Sequence, residues 1–289
     1  MKFFRPKTYC RPKDVDEAVS LLSTHRKRAR VLAGGTDLMI QRPPTVEILV
    51  DISSLGLNYI KNDEGHGMTI GAAAPVEALE HVRSFSAGPN RALLEAADSM
   101  ATPTIRNMAT VGGNLCNASP AGDLSVTLLA LGATIIVAGT EGQREIPITE
   151  FFLSPNATAL QEDEMLIEIR IPTFPDKTGT SFCKLRHHQT SVDIAVVNVA
   201  TRLHIHNGQC ADAVISIGAV GPTPLRANRS EALLVGESLN KDLFLQASRV
   251  AMEESNPIDD IRASADYRKK MVAVLVKKSL ETSFRRCAA

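Results

Sequence analysis

Thr102-Pro-Thr-Ile-Arg-Asn-Met-Ala-Thr-Val-Gly-Gly-Asn-Leu-Cys-Asn-Ala-Ser-Pro-Ala-Gly-Asp123 is poor in charge and rich in Gly, Ser, Thr and Asn. Gly112 and Gly113 sit between small hydroxyl and amide residues. A chain without Cβ atoms can bring backbone N–H groups close to a ligand, and successive N–H groups form a nest for anions. Thr110, Asn114 and Ser119 add side-chain donors, and Asp123 adds an acceptor suited to a ribose hydroxyl. The Leu-Ser-Val-Thr-Leu-Leu-Ala-Leu that follows reads as a helix with its N-terminus toward this stretch.

A second stretch of the same character lies upstream, where the buried-strand pattern Val31-Leu32-Ala33 runs into Gly34-Gly35-Thr36-Asp37. Two Gly-rich donor loops suit one ligand with two phosphates. The spacing is neither the G-x-G-x-x-G dinucleotide fingerprint nor a P-loop. Taken singly, either loop reads equally as a paired-glycine turn with no ligand.

Together, Ala33-Gly34-Gly35-Thr36-Asp37-Leu38, Ile105-Arg106-Asn107, Thr110-Val111-Gly112-Gly113-Asn114, Ala118-Ser119-Pro120 and Asp123 resemble the two flavin motifs of the xanthine dehydrogenase and carbon monoxide dehydrogenase family. Along nearly its whole length the chain is similar to that family's FAD-binding medium subunit. The resemblance implies an α+β fold: a two-lobed FAD-binding domain of the molybdenum hydroxylase flavoprotein type, then a small antiparallel sheet with a helical bundle. The expected boundaries are 1–175 for the FAD domain, with lobes of about 1–55 and 56–175, and 176–289 for the C-terminal domain.

By resemblance, the cofactor-binding positions are Leu32, Ala33, Gly34, Gly35, Thr36, Asp37, Leu38, Ala101, Thr104, Thr110, Gly113, Asn114, Cys116, Asn117, Ser119, Asp123, Leu166 and Lys184. The backbone of Ala33 through Leu38 and of Thr110 through Asn114 would hold the pyrophosphate. Ser119 and Asp123 would hold the diphosphate–ribose part. Ala101, Thr104 and Lys184 would lie near the flavin ring, where a cation stabilises the reduced anionic form. A surface lysine is the plainer reading of Lys184. Arg106 reads as a charge near the cofactor or as a tie between loop and helix.

The implied partners are a molybdenum-cofactor large subunit and a [2Fe–2S] small subunit, in a dimer of heterotrimers. The implied activity is electron transfer from the clusters through FAD to NAD⁺, oxygen or another acceptor. A self-sufficient FAD-dependent oxidoreductase is the alternative, but no titratable pair suited to acid–base work stands out near the loops. A scaffold that has lost flavin is a third reading, opposed by the intact glycines and Asp123.

The rest of the sequence sets bounds. The chain has 289 residues with 44% hydrophobic composition, ample for a sizeable core. Lys plus Arg and Asp plus Glu both total 32, which favours neither nucleic acid nor a membrane surface. The five cysteines are scattered and lack C-x-x-C spacing, against a disulfide framework, a zinc site or a cluster held by this chain alone. Cys116 reads as a small packed thiol. His204 and His206 share a strand face without carboxylate or thiol neighbours at ligand spacing, and His187 and His188 point to opposite faces. The N-terminus lacks a signal-peptide pattern, and the expected location is cytoplasmic.

Periodicity fills in the elements. Asp14 with Glu17 gives a capping box before a helix. Strands are expected at 30–33, 48–52, 133–138 and 165–172, with two more between 57 and 72 around Asn62-Asp63-Glu64-Gly65. Helices are expected at 75–80 and 90–100. After a linker at 173–179, a strand starts at Phe182, and Asn207-Gly208 joins two long strand patterns as a hairpin. The tail reads as helices at 231–234, 243–254 and 265–282.

Overall fold

The computed structural model describes residues 4–63, 67–82, 85, 88–186 and 194–288. His187 and His188, and the tip of the expected 57–72 turn, lie outside the described residues. The first unit is a parallel three-stranded sheet in the order β1 (Thr8–Cys10), β3 (Ile48–Asp51), β2 (Ala29–Leu32). Helix α1 (Val15–His25) leads into it, its N-terminus capped by Asp14, whose Oδ1 accepts the Glu17 N–H at 2.8 Å. Glu17 reaches back to the N–H of Lys13 at 2.9 Å rather than to that of Asp14, so the capping box is displaced by one residue. The short α2 (Leu38–Gln41) lies between β2 and β3.

The second unit is an antiparallel five-stranded sheet ordered β4 (Ile60–Asp63), β5 (Gly67–Gly71), β10 (Met165–Ile171), β6 (Thr134–Gly139), β7 (Gly142–Pro147). Its central strands are apolar at successive positions because both faces are covered. Ile135 and Val137 of β6 enter one core with Leu115, Leu124 and Phe151, whereas Ile136 and Ala138 enter another with Ala18, Leu22 and Val50 of the first unit. The period of two sorts one apolar run into two cores. A 3₁₀ helix (Val76–His81), α3 (Arg91–Asp98), α4 (Pro103–Met108), α5 (Val111–Asn117) and α6 (Asp123–Ala130) are packed between β5 and β6 in sequence. The short α7 (Ile148–Phe151) and the two-stranded β8 (Phe152–Ser154) and β9 (Ala157–Thr158) follow β7.

The third sheet is antiparallel, in the order β11 (Thr178–Leu185), β12 (Val197–His206), β13 (Gln209–Gly218), β14 (Leu225–Arg226). Asn207 and Gly208 have φ of +50° and +82°, the two positive angles that a type I′ hairpin demands. One face carries Val197, Val199, Leu203 and Ile215 into a core with α9 (Lys241–Glu254) and α10 (Ala265–Cys287). The other carries Phe182, Ala200 and Val214 against the core of the second unit. The short α8 (Asn228–Ala232) precedes α9.

Two expectations change. The stretch 102–123 is largely helical, because Thr102 and Thr110 cap α4 and α5 through Oγ1 to the N–H of Ile105 and Gly113. The expected linker at 173–179 already includes the start of β11 at Thr178. No helix among the described residues is long and apolar enough to cross a membrane.

Candidate cofactor site

β2 ends at Leu32, and Ala33 through Asp37 turn the chain into α2, which opens with Leu38. Gly35 has φ of +69°, a left-handed conformation open to glycine. The N–H groups of Gly34, Gly35, Thr36 and Asp37 donate to no acceptor among the described residues. Four successive unpaired donors at a strand-to-helix turn form an anion-binding nest. Burial pushes the Asp37 carboxyl up from its ordinary range.

The turn is pressed against the second motif. A Cβ on Gly34 would lie 1.8 Å from the carbonyl oxygen of Met108, at the end of α4. Gln41 of α2 donates to Asn117 Oδ1 at the end of α5, at 2.6 Å. The fold thus brings together the two motifs that the sequence separates.

The second motif is arranged differently from the first. Of its amides, Val111 donates to Ala74 O at 2.9 Å, Gly112 to Ala72 O at 3.0 Å, Gly113 to Thr110 Oγ1 at 3.1 Å, and Asn114 to Thr110 O at 2.9 Å. Its backbone donors at 111–114 are therefore engaged within the protein, and the nest of free amides belongs to the first motif. Gly112 is small for packing, since a Cβ would meet Ala72 O at 2.7 Å. A Cβ on Gly113 would meet Thr110 Oγ1 at 2.7 Å, against the cap itself. The Asn114 Oδ1 is buried and has no hydrogen-bond partner among the described residues. Ser119 Oγ accepts the Ala121 N–H at 3.3 Å. Burial pushes the Cys116 thiol up to about 12, which matches a packed rather than reactive cysteine.

Asp123 opens α6 and is buried. Lys184 and Asn198 are directly opposed in the β11–β12 ladder, so their side chains leave the same sheet face. Both reach Asp123: Lys184 Nζ lies 2.6 Å from Oδ2 and Asn198 Nδ2 lies 2.6 Å from Oδ1. Burial pushes the Asp123 carboxyl up, against the opposing pull of Lys184 and Asn198. Lys184 is thus an ion-pair partner at 5% side-chain exposure rather than a surface lysine. Each carboxylate oxygen keeps a second lone pair for a hydroxyl. Asn198 escaped the sequence reading; its signal is a lone amide in the run Val197-Asn198-Val199-Ala200.

The remaining positions separate. Ala101 has φ of +41° in the turn before α4, and Thr104 is exposed on α4. Leu166 is 4% exposed, with its side chain in the core of the second unit. His204 pairs through Nδ1 with Thr178 Oγ1 at 3.3 Å. No three His, Cys, Asp or Glu residues among those described group as metal ligands.

Four free amides, an orphaned buried amide oxygen and a buried carboxylate fit an anionic nucleotide cofactor with hydroxyl groups. The family model described as "FAD binding domain in molybdopterin dehydrogenase" matches residues 3–174, and "CO dehydrogenase flavoprotein C-terminal domain" matches 181–283. The carbon monoxide dehydrogenase medium chain of Afipia carboxidovorans is 34% identical, over 94% of this chain and 95% of that protein. The xanthine dehydrogenase FAD-binding subunit of Escherichia coli O157:H7 is 29% identical over 94% of each. In the solved carbon monoxide dehydrogenase of Hydrogenophaga pseudoflava, a chain superposes with a TM-score of 0.92 at 32% identity, covering 98% of this chain and 99% of that one. The chain therefore belongs to the molybdopterin dehydrogenase flavoprotein family, as an FAD-binding subunit of a molybdenum hydroxylase-type oxidoreductase.

Proposed function

We propose that this subunit relays electrons, taking them from [2Fe–2S] clusters on a small subunit and delivering them to NAD⁺, oxygen or another acceptor. The observation that carries the reading is the nest of unpaired amides at Gly34–Asp37 packed on the second motif. Bound FAD supplies a centre that exchanges one or two electrons. The chain's own residues bind and orient it. The Gly34–Asp37 amides hold the diphosphate by charge-assisted hydrogen bonds, the Asn114 side chain offers a further polar contact, and Asp123 accepts from a hydroxyl while Lys184 balances its charge.

Among the described residues near the two motifs, the titratable groups are tied up in ion pairs such as Asp123–Lys184 and Arg106–Glu80, which leaves no evident acid–base pair for substrate activation. The substrate pocket is accordingly assigned to a molybdenum-cofactor large subunit, in a cytoplasmic dimer of heterotrimers. The identity of the relatives as a medium chain and an FAD-binding subunit supports a multi-subunit assembly. We place the boundary between an FAD domain at 1–175 and a C-terminal domain at 176–289, in step with the two family matches.

Anaerobic mixing tests the relay. With small and large subunits present, a purine, aldehyde or N-heterocycle that the large subunit oxidises should bleach the flavin absorbance. The isolated chain should stay oxidised with the same compounds. Bleaching of the isolated chain at turnover rates would replace the relay with a self-sufficient oxidoreductase.

A further inference from the structure

Ser99, Met100 and Ala101 present three successive carbonyls to three cationic side chains. Lys184 Nζ and Arg186 NH2 donate to Ser99 O at 3.3 and 2.8 Å. Arg106 NH1 donates to Met100 O at 2.8 Å and to Ala101 O at 3.2 Å. The Arg106 side chain is buried, and its Nε forms an ion pair with Glu80. The turn it grips contains Ala101 at φ +41°, a region that a residue with a Cβ enters at a cost. Strain of this kind persists only where the surroundings over-determine it.

The clamp has a second consequence. In a trans peptide, the C=O of one residue and the N–H of the next point in opposite directions. With the Met100 and Ala101 carbonyls aimed at the guanidinium, the N–H groups of Ala101 and Thr102 point away from it. Both are on half-exposed residues, and neither donates to an acceptor among the described residues. The same turn touches Lys184, which holds Asp123.

We propose that Arg106 is a positioning residue of the FAD site. Braced by Glu80, it fixes the left-handed turn at Ala101, so that two main-chain donors and Lys184 are held in one arrangement. Arg106 touches no ligand itself; it acts through the turn. This rests on the FAD reading above.

The test compares Arg106→Lys with Arg106→Lys/Ala101→Gly in the full chain. Lysine keeps a charge but has a single nitrogen, so it cannot meet Glu80 as Nε does while holding the Met100 and Ala101 carbonyls as NH1 does. Glycine adopts the positive φ without the clamp. The readouts are FAD affinity of the deflavinated chain from flavin fluorescence, the visible band positions of the bound flavin, and the melting temperature without FAD. R106K should bind FAD about tenfold more weakly, the scale of one lost charge-assisted hydrogen bond. Its flavin bands should shift, and Ala101→Gly should restore most of the affinity. Wild-type affinity and spectrum in R106K would overturn the inference. So would a loss that Ala101→Gly does not recover, which would mark Arg106 as only a structural tie. A wild-type chain that takes up no FAD would remove the underlying reading, and this one with it.

Discussion

Gly34→Ala tests the join between the two motifs. The added Cβ would stand 1.8 Å from Met108 O and 2.7 Å from Met108 C, where real Cβ contacts essentially never fall under 3.0 Å. Both obstacles are backbone, so no rotamer change relieves them; the turn and the end of α4 must part by more than about 1 Å. Overpacking of this kind costs about 1–3 kcal/mol. The displacement also carries the nest amides away from the end of α4 on which they are packed. Hydrogen bonds to a charged group are worth about 1.5–3 kcal/mol each, so losing one weakens FAD binding by about ten- to a hundredfold, and losing two by about a hundred- to ten-thousandfold. Gly35→Ala is the internal comparison. Its Cβ meets side chains alone, Leu32 at 3.3 Å and Met39 at 3.8 Å, and these can give, although φ of +69° imposes strain. That strain is about 1–2 kcal/mol, and the nest stays on the second motif. The assay is flavin content per chain after gel filtration, with FAD affinity by titration and melting of the FAD-free chain. Gly34→Ala should lose flavin while melting cooperatively, and Gly35→Ala should retain more of it. Equal or greater occupancy in Gly34→Ala would refute the idea that close approach at this residue builds the site.

Removing either Asp123 or Lys184 leaves a charge buried at about 5% exposure, which should destabilise the FAD-free chain by about 3–5 kcal/mol. Asp123→Leu with Lys184→Met should cost less than either single change, by urea unfolding; an additive double variant would contradict the pairing. Glu164 is held below the usual carboxylate range by Arg144, whose Nε and NH2 lie 2.6 and 2.8 Å from its oxygens. Its contribution is therefore present above the unfolded value of about 4.3 and is lost as pH falls through the folded value. Glu164→Gln should lower the melting temperature at pH 7 by an amount equivalent to no more than about 1 kcal/mol, because Arg144 is 45% exposed. That gap should close in acid; a gap that widens in acid would reverse the sign. The Cys116 thiol, pushed up to about 12 by burial, should resist maleimide at pH 8 until the chain unfolds. Rapid labelling mapped to Cys116 by peptide mass would show an accessible thiolate instead.

What the sequence made legible follows local physics. The Asn207-Gly208 hairpin was readable because both angles favour those residues. The capped start of α1 was readable because its partners lie within four residues. The helices at 103–117 were not, because Pro103, Gly112 and Gly113 read as loop. Each glycine costs a helix about 1 kcal/mol, but the Thr caps and the bonds of Val111 and Gly112 to Ala74 and Ala72 outweigh that locally. Strand β7 is mostly exposed, so no apolar alternation announces it. β1 has three residues and gains its strand character from β3. The two Gly-rich stretches were visible as composition, and only their resemblance to a family marked them as flavin motifs; which one offers free amides depends on Ala74 and Ala72, 36 and 38 residues before Thr110.

The partners of Asp123 were hidden for the same reason, and they bear on how the chain is divided. Lys184 and Asn198 lie 61 and 75 residues downstream, beyond the changeover between the two family matches. Arg286 near the end of α10 forms an ion pair with Glu95 of α3, and Glu95 Oε2 also accepts the Phe182 N–H at 2.9 Å. Thr180 Oγ1 donates to Pro89 O at 2.8 Å and accepts from Ala92 N at 3.2 Å. Arg186 and Lys184 grip Ser99 O across the same boundary. The division is thus one of topology, since each sheet is closed within its own segment, but not one of energetics. A buried carboxylate without its cation is strongly destabilising. The C-terminal sheet therefore completes the charge balance of the cofactor domain and holds the turn beside it. On the proposed reading of the site, that sheet is a wall of the flavin pocket rather than an appendage.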